Sequence, residues 1–120
     1  MQYVGVDIVE IDRIQRVIDR WGQVFLSRVY TPIELKLFQN TSSLAARFAA
    51  KEAVLKALNA CDKGIGWQEI EILAEANGKP FIQLSGKAKL HASECALNRL
   101  NISLSHSREY AVAFVVGETG

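Results

Sequence analysis

Two carboxylates lie in parts of the sequence that are otherwise apolar. Asp7 belongs to the apolar N-terminal stretch, and Glu52 lies in an alanine- and leucine-rich segment. Acidic residues are disfavoured inside strands and buried helices unless they are paired or bind a cation. Two carboxylates from separate elements, completed by phosphate oxygens, suit Mg²⁺, so Asp7 and Glu52 predict a magnesium site. The alternative is that Asp7 caps a turn and that Glu52 pairs with Lys56 four residues further along a helix.

Basic residues cluster on or near the same central segment. They are Arg47, Lys51 and Lys56, together with Lys79 after an Asn-Gly pair and His106 near the end of a predicted strand. The loop Gly64-Ile65-Gly66 allows close approach of the backbone. Together these groups would cradle a polyanion such as a diphosphate. Taken singly, each has an ordinary structural explanation, and a Gly-Ile-Gly loop is not a P-loop.

A second basic group lies near the N-terminus. Arg13, Arg16 and Arg20 fall within roughly 60° of one another around a helix, and Arg28 and Lys36 extend this arginine stripe. Such a stripe would dock an acidic partner through complementary charge. The alternative is a solvated helix face whose local counter-charges are Asp12 and Asp19.

The central segment that carries these charges is predicted to be a buried helix. One arc holds Leu44, Phe48, Val54, Leu55 and Leu58, and the opposite arc holds Ala45, Ala46, Ala49, Ala50, Ala53 and Ala57. A helix that is apolar nearly all round is normally a core element. Its four charged residues must therefore find partners or face a polar cleft, because unpaired buried charge is costly.

The elements expected around this helix indicate an α+β fold with mainly antiparallel pairing. A Thr-Pro-x-Glu signature places a helix N-cap at Thr31, and an Asn-Gly pair predicts a hairpin turn. In order, we expect a strand at 2–8, a helix at 11–21 ended by Gly22, a helix from Thr31 to 39, the long helix capped by Ser42 or Ser43, strands at 69–73 and 80–84, a helix at 86–98, and antiparallel strands at 102–107 and 110–116.

Length and composition restrict the class of protein. The chain has 120 residues, 49% of them hydrophobic, and a formal charge of +1. These values predict a single domain over residues 1–120 and give no reason to expect nucleic-acid or membrane binding through net charge. No signal peptide or membrane span is apparent, and Cys61 and Cys95 are read as reduced thiols, so we expect a cytoplasmic protein.

Three segments resemble the signature regions of the holo-[acyl-carrier-protein] synthases, the small group of the 4′-phosphopantetheinyl transferase superfamily. They are residues 5–14, 47–58 and 102–111. The first begins Gly-x-Asp, and the second contains the run Arg-Phe-Ala-x-Lys-Glu-Ala-x-x-Lys. The Gly64 to Gly66 loop and the Asn-Gly-Lys-Pro run at 77–80 are lesser matches. The resemblance covers essentially the whole chain.

The resemblance implies a role for each matching residue. Asp7 and Glu52 would hold Mg²⁺ against the diphosphate of coenzyme A, and Lys56 would act at the reacting phosphate. Residues that would contact or border coenzyme A are Arg47, Gly64, Gly66, Lys79, Pro80 and His106, and the basic cluster adds Lys51. Arg13 would face the carrier protein, and the arginine stripe adds Arg16, Arg20 and Arg28. The general base stays open between Glu52, a metal-bound water and another carboxylate.

The implied activity is magnesium-dependent transfer of 4′-phosphopantetheine from coenzyme A to a serine of apo-acyl carrier protein, for fatty acid biosynthesis. The resemblance also implies a homotrimer whose active sites lie between subunits. Two alternatives remain: a non-catalytic module that binds coenzyme A or acyl carrier protein, and a structural protein whose helix charges form interface salt bridges.

Overall fold

A computed structural model describes residues 2–59 and 64–120 of the chain. Its elements, in order, are β1 (Gln2–Glu10), α1 (Ile11–Trp21), α2 (Gln23–Val29), α3 (Pro32–Leu37), α4 (Thr41–Ala57), a 3₁₀ turn (Trp67–Glu69), β2 (Ile70–Ala74), β3 (Pro80–Leu84), α5 (Gly86–Glu94), β4 (Leu97–His106) and β5 (Tyr110–Thr119). The strands form a three-stranded sheet in the order β1-β5-β4 and a two-stranded sheet of β2 and β3. All pairs are antiparallel, which confirms the predicted α+β class.

Strand alternation in β1 gives the first sheet two different faces. Gly5 is buried and Asp7 is half-buried on the face toward α4. Val4, Val6 and Ile8 point the other way and are 54%, 50% and 60% exposed. Because successive side chains of a strand point to opposite faces, Asp7 is directed to the helix side of the sheet.

The backbones of β1 and α4 come unusually close at Gly5. A β-carbon built on Gly5 would lie 1.9 Å from the carbonyl oxygen of Ala53. Opposite Gly5 and Asp7 on β5 are Val115 and the small residue Ala113, which is fully buried. The small residues on both surfaces therefore let the helix lie directly on the sheet.

The long helix α4 is the core element that its composition predicts. Most of its residues are buried, including the alanines of the arc defined above and Leu44, Val54 and Leu55. Its N-cap differs from the prediction, however. Asn40, and not Ser42 or Ser43, caps the helix, and its side-chain oxygen accepts a 2.8 Å hydrogen bond from the backbone N–H of Ser43. A serine one turn later is an equally good cap by residue type, so the sequence pattern was ambiguous.

Other boundaries show where local signals succeed and fail. The capping box at Thr31 and Glu34 is present, and Gly22 ends α1 with φ of 53°, both as predicted. The sequence pattern does not predict α2, because Gly22 indicates only the end of α1 and gives no signal that a new helix begins at Gln23. The predicted helix at 86–98 is too long, since Ala96 adopts φ of 58° and β4 already begins at Leu97.

Two composition-based expectations can be examined only in part. Within residues 2–59 and 64–120, no helix is both long enough and apolar enough to cross a membrane. Cys95 is a free, half-buried thiol, whereas Cys61 lies outside the described residues.

Candidate active site

Asp7 and Lys56 join β1 to the last turn of α4. The Lys56 Nζ atom lies 2.9 Å from Asp7 Oδ1 and also donates a 3.0 Å hydrogen bond to the carbonyl oxygen of Val6. The Lys56 side chain is 51% exposed and the Asp7 side chain 18%. Asp7 lies within β1 and does not cap a turn, so the turn-capping alternative for Asp7 is wrong. The ion pair places a carboxylate and an ammonium at the edge of a solvent-accessible site.

Glu52 lies one helical turn before Lys56 on the same side of α4. It is half-buried, and its Oε1 atom accepts a 3.2 Å hydrogen bond from the indole N–H of Trp67. The Trp67 ring packs against Phe48, with ring centroids 6.0 Å apart. The packed rings of Trp67 and Phe48 therefore lie beside the Glu52 carboxylate.

A cleft of about 540 Å³ collects the predicted metal ligands. Asp7 and Glu52 both line it, from β1 and α4 respectively, and Glu10 and Arg13 contribute further charge. Most of its other lining residues are apolar; they include Val9, Ile14, Val17, Phe25 and Phe48. The fold thus brings Asp7 and Glu52 into one cleft, and Arg13 of the arginine stripe lines the same cleft.

A neighbouring depression of about 460 Å³ shares Glu52 with this cleft. Arg28 and Gly66 line it, along with Leu55, Ile65 and Trp67. Glu52 therefore lies between the cleft that contains Asp7 and a depression bordered by the glycine loop. An extended anionic ligand would meet Arg28 and the backbone at Gly66 on this side.

The position of Lys51 does not support its predicted contact with coenzyme A. Lys51 and Glu34 are both fully buried, with Nζ 2.7 Å from Glu34 Oε1. Nζ also donates hydrogen bonds to the carbonyl oxygens of Trp67, at 3.0 Å, and Ile70, at 2.7 Å. Burial lowers the pKa of the ammonium, and the Glu34 carboxylate opposes that effect. An ammonium has three donors, and all three are used inside the fold, so Lys51 is a structural residue.

Arg47 lies on the Lys51 side of α4, facing α3. Its guanidinium carbon is 3.6 Å from the centroid of the Phe38 ring, a cation–π contact. Its Nε atom is buried without a hydrogen-bond partner among the described residues. Burial lowers the pKa of Arg47, while the Glu34 carboxylate raises it. The sequence predicted that Arg47 contacts a phosphate, but its Nε atom is enclosed in the fold, so the phosphate contact stays a prediction.

The remaining residues predicted for coenzyme A lie on other elements. Gly64 is exposed with φ of 71°. Lys79 is exposed in the β2–β3 hairpin, and Pro80 begins β3. His106 is exposed at the end of β4, opposite Ala111 of β5. None of these four residues lines the Asp7 cleft among the described residues.

The arginine stripe is exposed on α1. Arg13, Arg16 and Arg20 are all solvent-exposed, and the Arg20 guanidinium carbon lies 5.3 Å from the centroid of the Trp21 ring. Within the described part of the chain, no ion pair joins these arginines to Asp12 or Asp19; Asp19 accepts a 2.8 Å hydrogen bond from Gln15 instead. The stripe begins at the cleft with Arg13 and continues along the helix.

Three residues near the site were missed by sequence reasoning: Glu34, Trp67 and Glu69. Glu34 was recognised only as the N3 residue of a capping box, although its Oε2 atom also accepts from the Ile72 N–H at 2.8 Å. Glu69 accepts from the backbone N–H of Gly66 at 3.1 Å and from that of Ala88 at 3.1 Å. The Glu69–Gly66 contact is local, since the two residues are three apart. The other contacts leave no local signal in the sequence, because their partners lie 15 to 38 residues away.

The chemistry available in the cleft follows from these groups. Two carboxylates from different elements provide hard oxygen ligands, and an ammonium lies beside one of them. Arginines and a glycine-bordered depression surround them. Such a set can bind a divalent cation together with phosphate oxygens and can stabilise negative charge that develops during phosphoryl transfer.

Comparisons with known proteins agree with this chemistry. The family model described as the 4′-phosphopantetheinyl transferase superfamily matches residues 3–115. A holo-[acyl-carrier-protein] synthase of Halothermothrix orenii is 45% identical, over 98% of this chain and 97% of its own length. One of Dehalococcoides mccartyi (strain CBDB1) is 49% identical, over 98% of this chain and 99% of its own length.

Solved structures show the same fold. The crystal structure of Helicobacter pylori holo-[acyl-carrier-protein] synthase in complex with coenzyme A superposes with a TM-score of 0.87 at 35% identity, covering 96% of this chain and 99% of that one. The structure of the holo-[acyl-carrier-protein] synthase from Neisseria meningitidis gives a TM-score of 0.82 at 34% identity, over 98% of each chain.

Proposed function

This chain belongs to the 4′-phosphopantetheinyl transferase superfamily, and we propose that it is a holo-[acyl-carrier-protein] synthase. It transfers 4′-phosphopantetheine from coenzyme A to a serine of apo-acyl carrier protein and releases adenosine 3′,5′-bisphosphate. The observation that carries this conclusion is the sequence identity of 45–49%, over 98% of this chain, with proteins of that name.

The transfer step exchanges one phosphorus–oxygen bond for another. The serine oxygen bonds to the phosphorus that bears pantetheine, and the bond from that phosphorus to the bridging oxygen of the diphosphate breaks. The bridging oxygen leaves with the adenosine 3′,5′-bisphosphate, and the serine proton passes to a base. Glu52, a bound water or another carboxylate of the cleft would fill that role. The Lys56 ammonium lies close enough to Asp7 to stabilise charge that builds on the phosphoryl oxygens.

The donor set fits Mg²⁺. Asp7 and Glu52 line one cleft, and the described residues contain no group of three or more His, Cys, Asp or Glu side chains suited to a metal. Mg²⁺ is usually bound by one or two carboxylates, with substrate phosphates and water completing its shell. Asp7 and Glu52 would hold the ion, which would offset charge on the diphosphate. Lys56, whose Nζ lies 2.9 Å from Asp7 Oδ1, fixes the direction of that carboxylate.

Binding of the two substrates is assigned to different surfaces. For coenzyme A we retain Arg47, Gly64, Gly66, Lys79, Pro80 and His106 and remove Lys51. The position of Gly66 in the depression that it shares with Glu52 supports one of these assignments. For the acidic carrier protein we retain Arg13, Arg16, Arg20 and Arg28; Arg13 and Arg28 each line a depression that contains Glu52.

The outer face of the first sheet supports self-association. Val4, Val6, Ile8 and Phe114 are all at least 46% exposed on it, and exposed contiguous apolar surface marks an interaction site. Burying this face against other copies gives the homotrimer that the family resemblance implies, with active sites between subunits. The expected setting, fatty acid biosynthesis in the cytoplasm, stays a prediction.

Intact-protein mass spectrometry tests the activity directly. The full chain is incubated with apo-acyl carrier protein, coenzyme A and Mg²⁺, with EDTA and with the Glu52→Gln variant as controls. A carrier-protein mass gain of one phosphopantetheine group, lost in both controls, is the expected result. No gain with several carrier proteins, while coenzyme A still binds, would replace the transferase with the non-catalytic binding module.

A further inference from the structure

The side chain of Trp67 forms a hydrogen bond to the carboxylate of Glu52. Its indole N–H donates to Glu52 Oε1 at 3.2 Å. The ring is half-buried, packs against Phe48 and lines the depression that also contains Glu52 and Gly66. Trp67 therefore reaches Glu52 without occupying the Asp7 cleft, whose lining it does not join among the described residues.

The backbone of Trp67 is fixed by the buried ion pair. Lys51 Nζ donates to the Trp67 carbonyl at one end of the 3₁₀ turn and to the Ile70 carbonyl just beyond the other end. The Glu34 carboxylate holds that ammonium in place through its 2.7 Å contact. Neighbouring residues of α4 thus act on the same tryptophan: Lys51 binds its carbonyl oxygen, and Glu52 accepts from its ring.

A second set of contacts fixes the turn from the opposite side. Glu69, the last residue of the turn, accepts from the backbone N–H of Gly66 and from that of Ala88 in the first turn of α5. Gln68 Nε2 donates to the Tyr30 carbonyl oxygen at 2.9 Å. The turn that presents the indole is therefore hydrogen-bonded to Tyr30 at the end of α2, to α4 and to α5.

The chemistry of this contact is directional. An indole N–H is a donor only, and a donor on Oε1 leaves the other Glu52 oxygen available to the cleft. Groups that hydrogen-bond to a metal-binding carboxylate set its orientation and basicity, and their loss typically weakens metal binding by about 10–100-fold.

We propose that Trp67 is a positioning residue that orients the Glu52 carboxylate for the divalent cation, supported from the core by the Glu34–Lys51 pair. This inference rests on the proposed function, because it takes Glu52 as a metal ligand. Trp67 does not touch the reacting atoms; it acts through Glu52.

The test compares two tryptophan variants. Trp67→Phe removes the donor and keeps a ring beside Phe48. Trp21→Phe is the matched control, since the chain has two tryptophans and Trp21 is exposed on α1. Calorimetric titration of Mg²⁺ into the full-length protein with coenzyme A, without carrier protein, should give a dissociation constant at least about 10-fold higher for Trp67→Phe than for Trp21→Phe.

Equal Mg²⁺ affinities in the two variants would overturn the inference, and so would a wild-type chain that binds no Mg²⁺. A purely structural role for Trp67 predicts a lower Tm with unchanged Mg²⁺ affinity. Trp67→Leu repeats the measurement with an apolar side chain that has no hydrogen-bond donor, so a folding defect in one variant does not decide the result. Transfer by the wild type is measured separately: its failure would reject the transferase, whereas the Mg²⁺ affinities judge Trp67.

Discussion

The ammonium of Lys56 lies 2.9 Å from the carboxylate of Asp7, so one ion pair links the first strand to the helix that carries Glu52. A cation of the protein and a proposed ligand for Mg²⁺ are thereby held side by side. The pair is neutral overall, but its more exposed member is the ammonium, which is thus fixed where a diphosphate would approach the cleft. Removing either member should therefore affect chemistry more than folding.

Replacing Asp7 with alanine should lower kcat/KM for the transfer by at least about a hundredfold, because metal stabilisation of transition-state charge contributes several kcal/mol. Rates would be measured over a range of Mg²⁺ concentrations, with Glu94→Ala, an exposed carboxylate of α5, as the control. A normal rate in Asp7→Ala would remove Asp7 from the metal site.

Glu34→Gln and Lys51→Met should each lower the free energy of unfolding by about 3–5 kcal/mol, because each leaves its buried partner uncompensated. Arg99→Ala is the contrasting control: its 3.3 Å pair with Glu118 is exposed, and such pairs contribute about 1 kcal/mol or less. Urea unfolding at a fixed protein concentration measures all three. Similar losses for the buried and exposed pairs would contradict the structural role of Lys51.

The contribution of Glu69 to stability should depend on pH. The hydrogen bond from the Gly66 N–H is the main cause that lowers the pKa of Glu69. A carboxylate with a lowered pKa in the folded state stabilises the protein above its unfolded pKa of about 4.3 and loses that contribution as the pH falls. The Tm difference between wild type and Glu69→Gln should thus be largest near neutral pH and shrink below about pH 4. A Tm difference that stays constant with pH would argue against a stabilising contribution from the ionised Glu69 carboxylate.

Arg13→Glu should raise the KM for apo-acyl carrier protein roughly tenfold, equivalent to about 1.4 kcal/mol, and leave the KM for coenzyme A unchanged. The reason is that reversing a charge on the arginine stripe repels an acidic partner. Steady-state kinetics with each substrate varied separately gives both constants. Arg108→Glu, in the exposed turn between β4 and β5, is the control, and an equal effect there would leave the stripe as a solvated face.

Val6→Glu should dissociate the proposed trimer, because it places a charge in the centre of the apolar outer face of the first sheet. Sedimentation velocity would report a monomer for this variant. Leu90→Glu changes a residue on α5 that is 61% exposed, against 50% for Val6, and should leave the sedimentation coefficient of the trimer unchanged. A wild-type chain that sediments as a monomer with full activity would refute the assembly.

Much of the site was accessible from the sequence because its main signals are local. Strand alternation directs Asp7 to the helix side of the sheet, and helical spacing puts Glu52 and Lys56 on one side of α4. Lys51 lies next to Glu52, yet only the fold reveals that its partner is Glu34 on α3. A charged residue in a buried helix indicates that a partner or a polar cleft must exist, but residue type alone does not say which.

The tertiary contacts explain the other differences. Trp67 and Glu69 lie in a turn whose hydrogen-bond partners come from α4 and α5, and sequence periodicity carries no information about such pairings. The helix α2 is short, and its apolar residues pack against distant parts of the core, among them Phe25 against Phe48. Where packing between distant segments decides the structure, local propensity is a weak guide.

The pairing of β1 with β5 has a consequence for biosynthesis. Asp7 lies opposite Ala113, so the strand that carries it gains its hydrogen-bonded neighbour only after the ribosome has made residues 110–119. Glu52 and Lys56 can adopt their helix much earlier, since helical contacts are local and strand pairs distant in sequence form late. A nascent chain thus holds the α4 part of the proposed site first, and the carboxylate of Asp7 joins it when the last strand closes the sheet.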